Sequence, residues 1–167
     1  MELTIRAERP SDIAAIHAVE AAAFGRDTEA VLVDALRASS DDFISLVATL
    51  RDEVVGHICF SRVTVDGASP QSRFSALAPL AVLPAHQRRG IGAVLVTLGL
   101  DECRRRNIDA VFVVGDPAYY SRFGFAPAGD RGVRCEFEVP DDAFRVLELH
   151  PTTLCAGLLR YPPPFHG

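Results

Sequence analysis

The spacing of apolar residues switches along this chain between the alternation of a strand and the three-to-four-residue period of a helix. "ELTIR" predicts a short strand over residues 2–6. A helix follows, with Ser11 or a neighbour as its N-cap and Gly25 as its stop, and with Ile13, Ile16, Val19 and Phe24 as its apolar side. "DTEAVLVDALRAS" reads as a second helix, with Val31, Leu32, Ala35 and Leu36 at helical spacing. "DFISLVATL" and "VVGHICFSRVTV" are β-rich and joined at "RDE", which predicts an antiparallel hairpin. "RFSALAPLAVLP" is the next strand; Pro79 in its middle cannot donate to a ladder, so the strand should be bulged, splayed or at an edge. A helix then runs to about Arg106, followed by the apolar strand "AVFVV" at 110–114 and a short helical segment, "PAYYSRF", that ends at Gly124. "GVRCEFEVP" and "AFRVLELHP" predict two further strands, and a tail beginning "TTLCAGLLRY" should leave Pro162–Pro164 extended.

Composition bounds what this pattern can be. The 167 residues are 49% hydrophobic and 23% charged, which suits one globular mixed α/β domain spanning 1–167. No apolar run approaches the roughly 20 residues of a membrane helix, and the N-terminus lacks a signal-peptide core, so a cytoplasmic protein without a membrane partner is expected. A net charge of −5 argues against nucleic acid and suits a cationic small molecule better. All 17 basic residues are arginine, so no lysine Schiff base or lysine phosphate clamp operates. Cys59, Cys103, Cys135 and Cys155 form no C-x-x-C pair, and His17, His150 and His166 have no ligand spacing; no metal site is expected.

One segment resists a purely structural account. "PAHQRRGIGAVL", residues 84–95, puts two glycines where a strand gives way to a helix, although glycine weakens a helix by up to about 1 kcal/mol relative to alanine. A helix N-terminus presents unpaired N–H groups and the positive end of the dipole to an anion. Gly90 and Gly92 would let a large anionic group approach the main chain, Arg88 and Arg89 add charge, and Gln87 can cap the turn or donate to a phosphate. The combination fits a diphosphate. An ordinary helix start with two tolerated glycines and two solvated arginines fits it as well. A Walker-type loop would need a lysine, and the dinucleotide fingerprint would need glycine at position 95, which is Leu95.

The remaining pattern is Q-x-x-G-x-G, and "QRRGIG" after "LAPLAVLP" resembles the acetyl-CoA motif of the GNAT superfamily of N-acetyltransferases. "VVGDPAYYSRFGF" (113–125) is similar to that superfamily's later motif, and "VVGHICFSRV", "APLAVLP" and "LLRYPPPF" resemble one bacterial subfamily of predicted acetyltransferases. The resemblance implies a mostly antiparallel central sheet flanked by helices and splayed between its fourth and fifth strands, with acetyl-CoA in the gap. Main-chain groups of Leu80, Ala81 and Val82 would pair with the pantetheine arm, and the amides of Arg88, Arg89, Gly90, Ile91, Gly92 and Ala93 would hold the pyrophosphate. It also implies direct attack by a small or protein amine, an oxyanion held by a backbone N–H of Val82 or Ala81, a tendency to form homodimers, and an acceptor pocket built by the first two helices and later loops.

Tyr120, four residues before Gly124, stands where the superfamily keeps its general acid; a tyrosine, with a pKa of about 10, is protonated at neutral pH and can donate to the departing thiolate. Structural packing beside CoA is the other reading of Tyr120, and Tyr119 reads as packing or pocket. Many relatives carry a glutamate in the fourth strand, yet residues 73–84 contain no acidic residue, which leaves the base unassigned. His57 and Asp116 are the polar candidates; His57 reads better as a histidine packed or hydrogen-bonded on a sheet face, and Asp116 as the N-cap of the helix that Pro117 opens. His86 can touch CoA or lie in solvent. The rival class is an acyl-CoA-binding module that has kept the cofactor site and lost turnover.

Overall fold

The computed structural model describes residues 2–150 and 154–167. The chain divides into two compact units, residues 1–61 with 78–102 and residues 62–77 with 103–167. Pro151, Thr152 and Thr153, the end of one expected strand and the start of the expected tail, lie outside the described residues.

In the first unit, β1 (Leu3–Ala7) runs antiparallel to β2 (Ile44–Leu50), and β2 runs antiparallel to β3 (Glu53–Val65). The hairpin turn is two residues, Arg51 and Asp52, both with positive φ (50° and 64°), the twist that two-residue hairpins select. Every position of β2 is buried, so it is covered on both faces. α1 (Ile13–Phe24) ends at Gly25, whose φ of 68° lets its N–H return to the Ala21 carbonyl. Its N-cap position is held by Asp12, the neighbour of Ser11, at the end of a single 3-10 turn, Pro10–Asp12; the Asp12 carboxylate takes hydrogen bonds from the Arg9 amide and the Arg6 guanidinium.

Two predicted faces are shifted. In α1 Ile16 and Val19 are buried, but Ile13 (37%) and Phe24 (41%) are exposed, and Glu20 takes a fully buried place. The helix is so rich in alanine that apolar spacing does not single out one side. In α2 (Thr28–Ser39) the buried stripe is Ala30, Val33 and Leu36, while Val31 is 53% exposed. Two adjacent apolar stripes are available there, and the one containing the small Ala30 packs inward, with α1 and α2 in contact.

β3, β4 (Phe74–Val82) and α3 (Ile91–Arg105) each begin in one unit and end in the other. In the second unit the first residues of β4 pair in parallel with β5 (Ala110–Val114), from Phe74 opposite Ala110 to Ala76 opposite Phe112. β4 continues past that register to Val82, and the Ala78–Pro79 peptide is cis. The helical segment after β5 is α4 (Pro117–Ser121). β5 also pairs antiparallel with β8 (Phe144–Glu148), whose other neighbour is the two-residue β6 (Ala126–Pro127). β7 (Val133–Cys135) is parallel to β9 (Gly157–Arg160), which lies antiparallel to the end of β3. The core of this unit includes Phe74, Phe112 and Phe144, with Phe112 edge-on to the first ring and stacked on the second.

Mostly antiparallel pairing, a parallel β4–β5 pair and flanking helices give the mixed α/β class. The tail departs from expectation twice: it supplies β9, and only Pro162 of the proline run is extended, since Pro163–His166 forms a 3-10 turn. No helix among the described residues is long and apolar enough to cross a membrane.

Candidate active site

The entrance to α3 is built almost entirely from backbone. The Leu83 amide donates to the Val55 carbonyl (2.8 Å), which ties the end of β4 to the start of β3. Pro84–His86 makes a 3-10 turn, and the Gln87 side-chain amide donates to the Val82 carbonyl at 2.9 Å, so here Gln87 caps the turn. Arg88 and Gly90 then adopt left-handed φ values of 64° and 82°. A Cβ at Gly90 would meet nothing within 4 Å, so conformation, not crowding inside the chain, is what requires glycine. A non-glycine residue held left-handed marks strain of the kind found at ligand clamps. The first bond of the helix runs from the Val94 amide to the Gly90 carbonyl, so the amides of Ile91, Gly92 and Ala93 precede it, with Arg88 and Arg89 exposed beside them.

Two glycines that the sequence reading passed over fix this helix against β3. A Cβ at Gly56 would lie 3.1 Å from Leu95 Cδ1 and 3.3 Å from Ile91 Cγ2, and one at Gly99 would lie 2.5 Å from the Phe60 ring. Leu95 and Val96 are fully buried and Ile91 is buried too, so α3 is anchored by its underside, while Gly92 and Ala93 are half-buried and Val94 is exposed. On β4, Ala81 is buried, and Leu80 and Val82 are half-buried.

In the second unit, Asp116 caps α4 by accepting from the Ala118 amide (3.0 Å), with Pro117 in the first turn. Tyr120 is 9% exposed; its ring meets Phe125 and Tyr119 edge-on, and a Cβ at Gly115 would overlap it. Burial, with Tyr119 adding to it, pushes the Tyr120 phenol well above its ordinary pKa, so it carries its proton at neutral pH. The segment closes at Gly124, φ 97°. One of the later loops, over 126–132, borders a cleft of about 540 Å³ lined by Asp130, Glu138, Asp141 and Asp142 beside Phe137 and Phe144.

His57 lies on β3 in the first unit and is completely buried, hydrogen-bonded on the sheet face as its simpler reading held. Its partner at 2.6 Å is Glu20 of α1, a residue the sequence reading did not single out. No local signal marked it, because the alanine-rich helix has no single apolar side in its sequence. His86 is half-buried, with its Nδ1 enclosed and unpaired among the described residues. Among the described residues no group of three or more His, Cys, Asp or Glu side chains is placed to hold a metal.

A strand that turns through left-handed Arg88 and Gly90 into a helix, in a sheet of this order, is the architecture of an acyl-group transferase. Residues 13–125 match the model of the acetyltransferase (GNAT) family. The chain is 39% identical to the uncharacterized N-acetyltransferase YjhQ of Escherichia coli strain K12, over 92% of this chain and 89% of that protein. The crystal structure of the E. coli GNAT family N-acetyltransferase YhbS in complex with CoA aligns with a TM-score of 0.91 at 37% identity, covering 100% of this chain and 93% of that one. A GNAT family acetyltransferase from Brucella melitensis, solved with acetyl-CoA, aligns at 0.82 with 35% identity and 98% of both chains. This chain belongs to the GNAT family of N-acetyltransferases.

Proposed function

We propose that this acetyltransferase takes acetyl-CoA as donor and transfers the acetyl group to an amine that attacks directly in a ternary complex. The observation that carries the reading is the α3 entrance: left-handed Arg88 and Gly90, the amides that precede the first internal bond of the helix and two exposed arginines form a cradle for a diphosphate. The similar E. coli and Brucella structures were solved with CoA and acetyl-CoA, which supports the same donor here. In this reading the main chain of Leu80, Ala81 and Val82 takes the pantetheine arm, and the amides from Arg88 to Ala93 take the pyrophosphate, with Gln87 holding the turn that presents them. The amine forms the C–N bond as the C–S bond breaks. An N–H of Ala81 or Val82 steadies the oxyanion, and Tyr120, kept protonated by burial, gives its proton to the CoA thiolate. Carboxylates lining the 540 Å³ cleft favour a cationic acceptor.

A second reading has one observation in its favour: with no carboxylate on β4, the chain would bind acyl-CoA without turning it over. Calorimetric titration with acetyl-CoA and CoA separates these outcomes. The native chain should bind both, and Gly90→Glu/Gly92→Glu should weaken binding by at least about 10²-fold, since a side chain and a negative charge enter the cradle. No binding by the folded native chain overturns both readings; binding without thiol release across an amine screen leaves the module.

A further inference from the structure

The missing base on β4 directs attention to the buried polar row of the first unit. Glu20 and His57 are each 0% exposed, with His57 Nδ1 2.6 Å from Glu20 Oε2. On the other side of the ring, His57 Nε2 lies 2.8 Å from Ser45 Oγ on β2, and Ser45 donates its hydroxyl proton to Glu8. Glu8 is 15% exposed and held by the Arg37 guanidinium through Nε (2.5 Å) and Nη2 (2.9 Å).

Hydrogen-bond accounting fixes the protons. Ser45 has one proton and gives it to an acceptor-only carboxylate, so its oxygen must accept from His57 Nε2–H. Two lone pairs cannot face each other at 2.6 Å, so a proton also lies between His57 Nδ1 and Glu20 Oε2. Every contact from Glu20 to Glu8 is therefore proton-bearing. Glu20 Oε1 has no hydrogen-bond partner among the described residues, although it is buried. A buried carboxylate oxygen in that condition is an acceptor left unused by the fold.

The row is linked to the strand proposed to hold the donor through Cys59. Cys59 is two residues from His57 on the same face of β3, and its thiol donates to the Ala78 carbonyl of β4 at 3.2 Å. Burial first, and then the charges of Glu20 and Glu8, push the Cys59 thiol upward, while Arg37 opposes them. Burial also raises the Glu20 carboxyl against the pull of His57, and Glu29 of α2 adds to the rise. Burial acts to raise Glu8 too, but bonds from Arg37 and Ser45 and the charges of Arg37 and His57 bring it below its ordinary value. Farther out, Asp34 of α2 accepts from Arg37 (3.0 Å) and contacts His17 of α1 (2.9 Å). The row thus joins an enclosed carboxylate, with a pKa moved toward neutrality, to an ionised one that reaches water.

Resting on the acetyl-transfer reading above, we infer that Glu20, His57, Ser45 and Glu8 form a proton relay that accepts the proton lost by the acceptor ammonium at Glu20 Oε1 and releases one to solvent at Glu8. The balance is R–NH3+ and acetyl-S-CoA to R–NH-acetyl, CoA-SH and one H+. The ammonium gives its first proton to Glu20 as His57 passes one through Ser45 to Glu8. The neutral amine then attacks, and its second proton accounts for the one the thiolate gains.

The test compares Glu20→Gln and Ser45→Ala with the native protein, using acetyl-CoA and primary amines whose pKa values run from about 7.7, as in α-amino groups, to about 10.4, as in alkylamines. At pH 7 an alkylamine is neutral only about once in 10³ molecules, so Glu20→Gln should lower kcat/KM by about 10²-fold with it. The deficit should shrink toward a few-fold at pH 9.5, or with the less basic amines, while acetyl-CoA affinity stays within about twofold. Ser45→Ala should show the same dependence with a smaller loss, and it carries the test if Glu20→Gln does not fold. A loss equal at every pH and for every amine, or no loss, overturns the relay and leaves the donor reading intact. A native chain that binds acetyl-CoA but acetylates no amine overturns the relay together with the transfer reading and leaves the binding module; one that binds no acetyl-CoA overturns the donor site as well.

Discussion

Two parts of the first unit do their work with opposite materials. The α3 entrance is local, exposed and made of backbone, its shape set by two left-handed residues within three positions. The Glu20–His57 row is buried and made of side chains, drawn from α1, β3, β2 and the residue after β1. A local backbone device leaves its mark in a short string, because the glycine and arginine that form it are neighbours. A device assembled from distant elements leaves no string, and each of its residues taken singly has an ordinary explanation.

The sharpest probe of the local kind of site is Tyr120→Phe in the α4 segment. Steady-state kinetics should show kcat lower by about 10²–10⁴-fold, with CoA affinity unchanged in calorimetry. Equal kcat would return Tyr120 to packing. The assembled kind is probed by stability. His57→Leu should cost about 3–5 kcal/mol in denaturant unfolding, because Glu20 is left buried and unpaired, whereas Glu20→Leu/His57→Leu should recover most of that loss. A double variant as unstable as the single one would show that the pair itself holds the unit together. The smallest effect belongs to the backbone device: Gly90→Ala should cost about 1–2 kcal/mol of stability, through the left-handed φ alone, since the added methyl meets nothing. A neutral result would mean that the loop relaxes away from φ 82° when free.

The same contrast explains what could be read from the chain. The hairpin around 51–53, the strand 110–114, the Asp116 cap and the glycine stop at 25 are each encoded within a few residues, and the structure has them as expected, whereas α4 stops at Ser121, short of Gly124. β6 and β9 are too short to show alternation, and they exist because β8 and the end of β3 offer edges to pair with. The faces of α1 and α2 were misread because both helices carry apolar residues on more than one side, and only packing chooses between them. Glu20 was invisible for a related reason: a glutamate in a helix looks solvated until its tertiary partner is known.

The closest approaches of α3 to β3 have a consequence for how this enzyme changes over time. Gly99 lies eight residues from Ile91, about 12 Å along the helix at 1.5 Å per residue, and any side chain there would strike Phe60. The helix behaves as a lever whose far end is held by the absence of an atom. A single methyl group added at Gly99 or Gly56 would be paid for at the cradle, by tilting amides that neither position touches. In the proposed reading, drift in donor affinity can therefore originate well away from the residues assigned to the donor, and a survey confined to those residues would miss its source.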